Sequence, residues 1–161
     1  MAFRSAEPIS SPLPVDAQQV VGAVLQDAVA DLIDLSLIAK QAHWNVLGRT
    51  FRDAHLHLDE LVDLARAQTD EVAERAATLG VSPDGRTGTV AKTSGLPDFD
   101  EGWQSVEDVT AAIVETLAVL IARHRERIAA TGDPDPVTED LLIGQAARLE
   151  EAHWMWQAKQ A

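Results

Sequence analysis

The sequence predicts an all-α domain folded as a four-helix bundle with a long crossover between its second and third helices. Apolar residues recur at helical spacing in four long stretches. Capping residues, Gly and Pro occur at the ends of these stretches. The two-residue alternation typical of strands is missing from the sequence. The connection at residues 81–104 is too long for an ordinary bundle turn. We therefore expect it to run the length of the bundle, which makes the second and third helices parallel in direction.

The N-terminal part of the chain divides into a tail and the first helix. Residues 1–15 are rich in Ser and Pro, which favours a flexible segment. Residues 16–161 are assigned to the bundle domain. The first helix is expected to run from about Asp16, its N-cap, to Asn45. Its apolar stripe consists of Val21, Val24, Leu25, Ala28, Leu32, Leu35 and Ala39.

The second helix carries the residues on which a functional interpretation depends. It is expected from Phe51 to Leu79, with Gly80 ending it as the first residue beyond the cap. Its apolar stripe consists of Phe51, Ala54, Leu58, Val62, Ala65, Thr69, Val72, Ala76 and Leu79. A second stripe flanks the first and consists of His55, Asp59, Arg66, Asp70 and Glu74.

Clear capping signals mark the starts of the last two helices. Ser105 is the expected N-cap of the third helix, which ends before Gly132. His124 falls within the apolar stripe of that helix, so we interpret it as a packed histidine rather than a ligand. In the fourth helix Asp135 is the expected N-cap, with Pro136 in the first helical position. The core residues expected from this helix are Leu142, Ala146, Leu149 and Trp156.

Composition narrows the possible functions. The 161 residues suffice for one domain with a substantial core. The net charge of -13 argues against a general nucleic-acid surface and suits a protein that handles cations. The sequence has no cysteine, which rules out disulfides and thiolate metal sites. It also has neither an apolar signal core nor an apolar run long enough to span a bilayer. We expect no membrane association, and a cytoplasmic location is compatible with the sequence.

Two ligand pairs on the second helix indicate a metal site shared between chains. His55 with Asp59, and Asp70 with Glu74, each lie one turn apart on the same face. Eleven residues separate Asp59 from Asp70, or about 16 Å along the axis, so one helix cannot wrap both pairs around a single ion. Two copies of the helix, antiparallel about a two-fold axis, would bring the first pair of one chain to the second pair of the other. His43 could add a further nitrogen.

This donor set has a definite metal preference. Imidazole and carboxylate together suit Fe(II), Mn(II) or Zn(II) better than Mg(II) or Cu(I). Any one such pair alone would more often be a pair of solvated surface side chains. Five donors that satisfy one geometric requirement favour the metal site.

The pattern of these residues resembles the Dps proteins (DNA-binding proteins from starved cells), the miniature ferritins. Dps proteins have a His-Trp pair at the end of the first helix, matched here by His43 and Trp44. The remaining members of the pattern, each at the family's spacing, are His55, Asp59, Asp70 and Glu74. The similarity continues through residues 105–108, 138–142 and 153–155 and covers nearly all of the chain beyond the tail.

The resemblance implies a ferritin-like bundle with a short extra helix in the crossover, which we place within residues 95–101. It implies a ferroxidase that binds iron between subunits, oxidises Fe(II) with hydrogen peroxide or oxygen, and stores the ferric mineral in a dodecameric shell. In such a shell His43, His55 and Asp59 of one subunit face Asp70 and Glu74 of its two-fold partner. Trp44 would be a packing residue, a residue lining this site, or both.

An acidic cluster at the start of the fourth helix allows two interpretations. Locally, its charges favour the helix N-terminus. Repeated around a three-fold axis, they would form a negative pore that attracts Fe(II). The family has its pore constriction at the position of Asp140. The other candidates for the pore are Asp133, Asp135 and Glu139.

Three alternatives remain open, one for the site and two for the function. Full-length ferritins hold their di-iron centre within one bundle through two Glu-x-x-His motifs, but this sequence has one such motif, Glu150 to His153, which we interpret as packing. A nucleoid-binding scaffold is the second alternative. Many Dps relatives bind DNA through lysine-rich arms, whereas the tail here offers Arg4 and the C-terminus Lys159. We therefore expect DNA binding to be weak or absent. A bundle whose acids are merely solvated is the plainest hypothesis.

Overall fold

A computed structural model describes residues 8–161, so the first seven residues of the predicted tail lie outside the described residues. The described part contains five helices and two short strands. In chain order these are α1 (Val15–Asn45), β1 (Val46–Leu47), α2 (Phe51–Thr78), α3 (Thr87–Thr93), β2 (Gln104–Ser105), α4 (Val106–Thr131) and α5 (Pro136–Ala158). None of the helices in this part of the chain is long and apolar enough to cross a membrane.

The predicted crossover is confirmed by the pairing of the two strands. β1 lies between α1 and α2, β2 directly precedes α4, and the two strands pair in parallel, Val46 with Gln104 and Leu47 with Ser105. α2 and α4 therefore begin at the same end of the bundle. The connection between them must return the chain along the whole length of α2. Strands of two residues are too short to produce an alternating sequence pattern, which is why the sequence gives no sign of them.

The core lies between the apolar stripes of the four long helices, largely as predicted. α1 packs mainly against α2, and α4 against α5. All four core residues expected from the last helix are buried, and the Trp156 ring stacks on His57 with a centroid distance of 4.4 Å. Phe51 is the main exception, because it starts α2 at the end of the bundle and is 47% exposed.

Helix ends follow the predicted capping chemistry with one correction. α1 begins at Val15 after Pro14, so Asp16 is not the N-cap but lies in the first turn. Its charge still favours the helix dipole from that position. Gly80 ends α2 as predicted, with a φ of 76° that suits glycine. The Val81 N–H donates to the Ala76 carbonyl at 2.9 Å, the bond that defines a Schellman motif.

The caps of the last two helices are confirmed. The Ser105 hydroxyl accepts a hydrogen bond from the Asp108 N–H, and the Asp135 carboxylate accepts one from the Val137 N–H. Pro136 is the first residue of α5. These positions were predictable because a cap is decided by residues only two or three positions apart.

The short crossover helix is misplaced in the sequence prediction. It occupies Thr87–Thr93, not residues 95–101. Pro97 restricts the preceding residue to extended backbone, and the Gly95 N–H is held by the Asp31 carboxylate at 2.8 Å. Before the helix, Asp84 accepts hydrogen bonds from the Arg86 N–H and the Thr89 hydroxyl, which fix its first turn.

A buried carboxylate fastens the crossover to the bundle. Asp31 of α1 is fully buried and accepts hydrogen bonds from Arg123 Nε at 2.7 Å and from the Arg127 guanidinium, both on α4. Burial alone would raise the pKa of Asp31, but the Arg123 and Arg127 guanidiniums and the Gly95 N–H hold it below its ordinary value. One ionised side chain thus joins α1, α4 and the crossover.

His124 is a packed histidine, as the sequence analysis predicted. It is fully buried, with Nε2 3.2 Å from Gln145 Oε1 and Nδ1 3.3 Å from Arg127 Nη1. The guanidinium can only donate, so the neutral ring accepts at Nδ1 and donates from Nε2. Burial, reinforced by the charge of Arg127, lowers the pKa of His124 to about 4.

We expect His124 to make the fold sensitive to acid. An unfolded histidine has a pKa near 6.5, while the pKa of the folded one is about 4. As the pH falls through that interval, the unfolded chain takes up a proton that the folded chain does not. The free energy of unfolding then drops by about 1.4 kcal/mol per pH unit.

The variant His124→Gln, which cannot titrate, should flatten this pH dependence in denaturant titrations between about pH 4 and 6.5. The exposed Arg52→Gln on α2 is the control, because it changes charge without removing a group that titrates there. An equally steep pH dependence in His124→Gln would contradict the assignment.

Candidate metal centre

The end of α1 and the start of α2 bring the first three candidate ligands together. The chain turns at Gly48, whose φ of 135° lies in the region that favours glycine. This turn places His43, in the last turn of α1, beside His55, in the second turn of α2. His43 is 8% exposed and His55 is partly exposed.

The two histidines fix each other in position. The Nδ1 atom of His43 donates to the His55 carbonyl and the Nδ1 atom of His55 to the His43 carbonyl, both at 2.8 Å. Their rings stack with a centroid distance of 3.6 Å and an interplanar angle of 21°. Because a carbonyl can only accept, Nδ1 carries the proton in each neutral ring and Nε2 carries the lone pair. This tautomer is the one in which a histidine oriented by a backbone carbonyl ligates a metal.

Asp59 follows His55 by one turn of α2 and joins the pair. Its Oδ1 atom lies 3.3 Å from His43 Nδ1 and 2.5 Å from Lys40 Nζ. The hydrogen bond from Lys40, with the nearby histidines, holds the pKa of Asp59 below its ordinary value. The carboxylate is therefore ionised at neutral pH, as a metal ligand must be.

The other two candidate ligands are not brought to this group within one chain. Asp70 and Glu74 are exposed on α2, and eleven residues of continuous helix separate Asp59 from Asp70, or about 16 Å. Within residues 8–161, no three His, Asp or Glu side chains are arranged to hold a metal ion. The candidate ligands of one chain thus fall into two separate groups, one formed by the end of α1 with the start of α2 and the other farther along α2.

Two residues beside the ligands complete the description. Trp44 is 63% exposed, so it projects from the end of α1 and does not pack in the core. Lys40 was missed by the sequence analysis. The available signal was its spacing, because a residue three positions before His43 lies on the same helical face.

The acidic cluster between α4 and α5 divides into inner and outer members. Asp135 is buried and bonds to Arg75 Nη2 at 2.7 Å and to the Thr138 hydroxyl. Burial would raise the pKa of Asp135, but these hydrogen bonds hold it low. Its carboxylate is therefore engaged within the fold. The members that face outward at least in part are Asp133, Glu139 and Asp140.

The Glu-x-x-His motif on α5 is not arranged as a metal site in the described part of the chain. The Glu150 carboxylate bonds to the Arg125 guanidinium at 2.6 Å. His153 is partly buried on the same helix, and its Nε2 atom is enclosed without a hydrogen-bond partner among the described residues. These positions agree with the interpretation of the motif as packing.

Comparison with known proteins decides the family. Residues 22–160 match the model of the ferritin-like domain. The DNA protection during starvation protein of Mycolicibacterium smegmatis is 38% identical over 138 residues, which cover 86% of this chain and 75% of that protein. The solved structure of Mycobacterium smegmatis Dps in its tetragonal form has a TM-score of 0.91 at 34% identity, covering 96% of this chain and 94% of the other. The chain belongs to the Dps family of ferritin-like proteins.

A further relative is named as a pilus subunit. The fine tangled pili major subunit of Haemophilus ducreyi is 38% identical to this Dps-family chain over 146 residues, which cover 91% of this chain and 77% of that protein. Membership of the Dps family confirms the resemblance found in the sequence, and the bundle with its crossover confirms the predicted fold class.

Proposed function

We propose that this protein is a ferroxidase and iron store. Membership of the ferritin-like Dps family supports iron storage and protection in general, and the Dps structures it resembles imply a homo-oligomeric assembly. The observation that carries the finer proposal is the reciprocal pair of His43 and His55. Their Nδ1 atoms are both bound to backbone carbonyls, which leaves both Nε2 lone pairs for a cation beside the ionised Asp59.

The site is completed by a second copy of the chain. In a two-fold dimer, His43, His55 and Asp59 of one subunit would face Asp70 and Glu74 of the other, and symmetry would produce two equal sites. Six such dimers would form the dodecameric shell expected for the family. Trp44, exposed beside His43, is the candidate for a residue that lines the site.

The chemistry requires the protein to hold iron while an oxidant accepts electrons. Two Fe(II) ions each lose one electron to a molecule of hydrogen peroxide, whose O–O bond breaks, and two protons complete two molecules of water. Hydrolysis of Fe(III) then forms the mineral and releases protons. Oxygen is the alternative oxidant. The imidazole and carboxylate ligands would bind Fe(II) and tune its potential. Peroxide consumption that depends on Fe(II) is the direct test of this activity.

The route for iron is proposed at the turn between α4 and α5. Asp140 is exposed there beside Asp133 and Glu139. Around a three-fold axis their charges would concentrate Fe(II) at a pore. Asp135 belongs to the same cluster, but its carboxylate is bonded to Arg75 and Thr138. Its role would therefore be to hold the start of α5 in place rather than to attract Fe(II) directly. We propose the cytoplasm as the place where the shell works.

A shared site predicts complementation between defective subunits. Chains carrying His55→Ala with Asp59→Ala lack one half of the site, and chains carrying Asp70→Ala with Glu74→Ala lack the other half. In a mixed dimer one site loses four of its five ligands and the other keeps all five. In random co-assembly of equal amounts, half of the dimers are mixed, so about one quarter of all sites should be intact, measured as Fe(II)-dependent peroxide consumption.

The matched control co-assembles His55→Ala chains with Asp59→Ala chains. Both changes affect the same half, so mixing regenerates no intact site. Activity of the complementing mixture no higher than that of this control would refute the shared site.

The pore hypothesis predicts slower iron uptake in Asp140→Asn. Losing this charge should reduce electrostatic attraction of Fe(II) at low ionic strength, with less effect near 0.15 M salt, where the Debye length is about 8 Å. The control is Asp16→Asn, an equal loss of charge at an exposed site in the first turn of α1. Stopped-flow oxidation kinetics that are the same in both variants would mean that iron enters elsewhere.

The alternative, a DNA-binding scaffold, has a separate test. Tight binding to duplex DNA needs several Lys or Arg contacts to phosphate, yet the net charge is -13. Repeating weakly cationic arms around a shell adds little avidity. We expect no shift of plasmid DNA by the metal-free assembled protein at about 0.15 M salt. A clear shift would favour the scaffold, and its loss on deletion of residues 1–15 would assign it to the tail.

A further inference from the structure

The start of α2 carries His55 and Asp59, yet the helix has no side-chain cap there. Thr50 occupies the N-cap position, and its side chain makes no hydrogen bond to the first turn. A helix start without such a bond loses its first turn more readily than a capped one. Contacts with other helices must therefore hold this end of α2 in place, and with it the two candidate ligands.

The end of α5 provides contacts of this kind. Trp156, in the last turn of α5, is fully buried, and its ring lies 4.4 Å from the His57 ring at an interplanar angle of 3°. Asp53, one turn before His57 on the same side of α2, accepts a hydrogen bond from Lys159. The Lys159 ammonium also lies 5.5 Å from the centroid of the Trp156 ring. The end of α5 thus contacts the start of α2 at two points one turn apart.

These contacts lie on the side of α2 opposite to His55. Two residues of helix correspond to a rotation of about 200°, so His57 and His55 project in opposite directions. His43 of α1 holds His55 from one side, and Trp156 of α5 holds His57 from the other. The Trp156 Nε1 atom has no hydrogen-bond partner among the described residues. The stacked ring, and not its polar group, therefore makes the contact with α2.

We propose that Trp156 is a positioning residue of the metal site. By stacking on His57 it fixes the first turns of α2 from the side that His43 does not reach. The places of His55 and Asp59 relative to a bound cation depend on that position. This inference rests on the proposed function, in which both residues are ligands. Loss of the contacts that orient metal ligands typically weakens metal binding by about 10- to 100-fold.

The test is an anaerobic titration of the assembled, metal-free protein with Co(II), whose visible absorption reports its coordination geometry. Trp156→Leu removes the ring, so we expect about tenfold weaker binding and an altered absorption spectrum. Trp156→Phe keeps a ring against His57 and should restore most of the affinity. Leu120→Ala is the matched control, because it removes buried volume from α4, a helix without candidate ligands. It should melt at a lower temperature yet bind Co(II) as the parent protein does.

His57→Phe separates stacking from ligation. Phenylalanine keeps a ring against Trp156 but offers no nitrogen to a metal, so this variant should bind Co(II) as tightly as the parent. Weaker binding by His57→Phe would make His57 itself a ligand and overturn the positioning role.

Amide hydrogen exchange of the metal-free protein gives a second measurement. Exchange in the first two turns of α2 should be faster in Trp156→Leu than in Leu120→Ala, because the ring acts locally. Should Trp156→Leu fail to assemble, His57→Ala removes the same stack at a partly exposed position and serves in both measurements.

The outcomes distinguish this inference from the proposed function. If Asp59→Ala binds Co(II) as well as the parent does, Asp59 is no ligand and the proposed site fails. If binding depends on Asp59 but Trp156→Leu binds no more weakly than Leu120→Ala, the site stands and the role of Trp156 is refuted.

Discussion

The buried carboxylate of Asp31 is the constraint on which the arrangement of the bundle depends. Leaving such a group ionised without partners would cost several kcal/mol, so Arg123 and Arg127 of α4 and the Gly95 N–H must remain against it. The crossover is thereby tied to α1 and α4 partway along its course. Together with the β1–β2 pair, this requires α4 to begin beside the turn that joins α1, which carries His43, to α2, which carries His55 and Asp59.

The same polar network extends to α2 and fixes its rotation. Arg127 contacts His124, and His124 bonds to Gln145 of α5. The Gln145 amide donates to the Gln68 carbonyl at 3.1 Å and to Glu71 at 2.7 Å. Apolar packing tolerates small rotations of a helix, whereas paired hydrogen bonds do not. Because Gln68 and Glu71 are held on this side, Asp70 and Glu74 are left on the exposed side of the same helix.

How much the sequence could predict depended on the range of each interaction. Gly80, Ser105 and Asp135 were predicted correctly because caps and turns are local. The position of α3 was predicted wrongly, because it depends on the contact of Gly95 with Asp31, sixty-four residues away. In the candidate site, helical spacing predicted the neighbourhood of His55 and Asp59. The mutual orientation of the two histidine rings required the tertiary structure, because each is bound by a carbonyl of the other helix.

If the proposed function holds, the separation of the candidate ligands along α2 makes iron oxidation depend on subunit assembly. A continuous helix keeps Asp59 and Asp70 about 16 Å apart however the chain fluctuates, so a lone subunit could not gather the full set. Oxidation would then begin only after two subunits meet. A site contained within one bundle would instead oxidise iron on free subunits and release Fe(III) into solution. The same geometry that leaves one chain incomplete would thus confine the reaction to paired subunits.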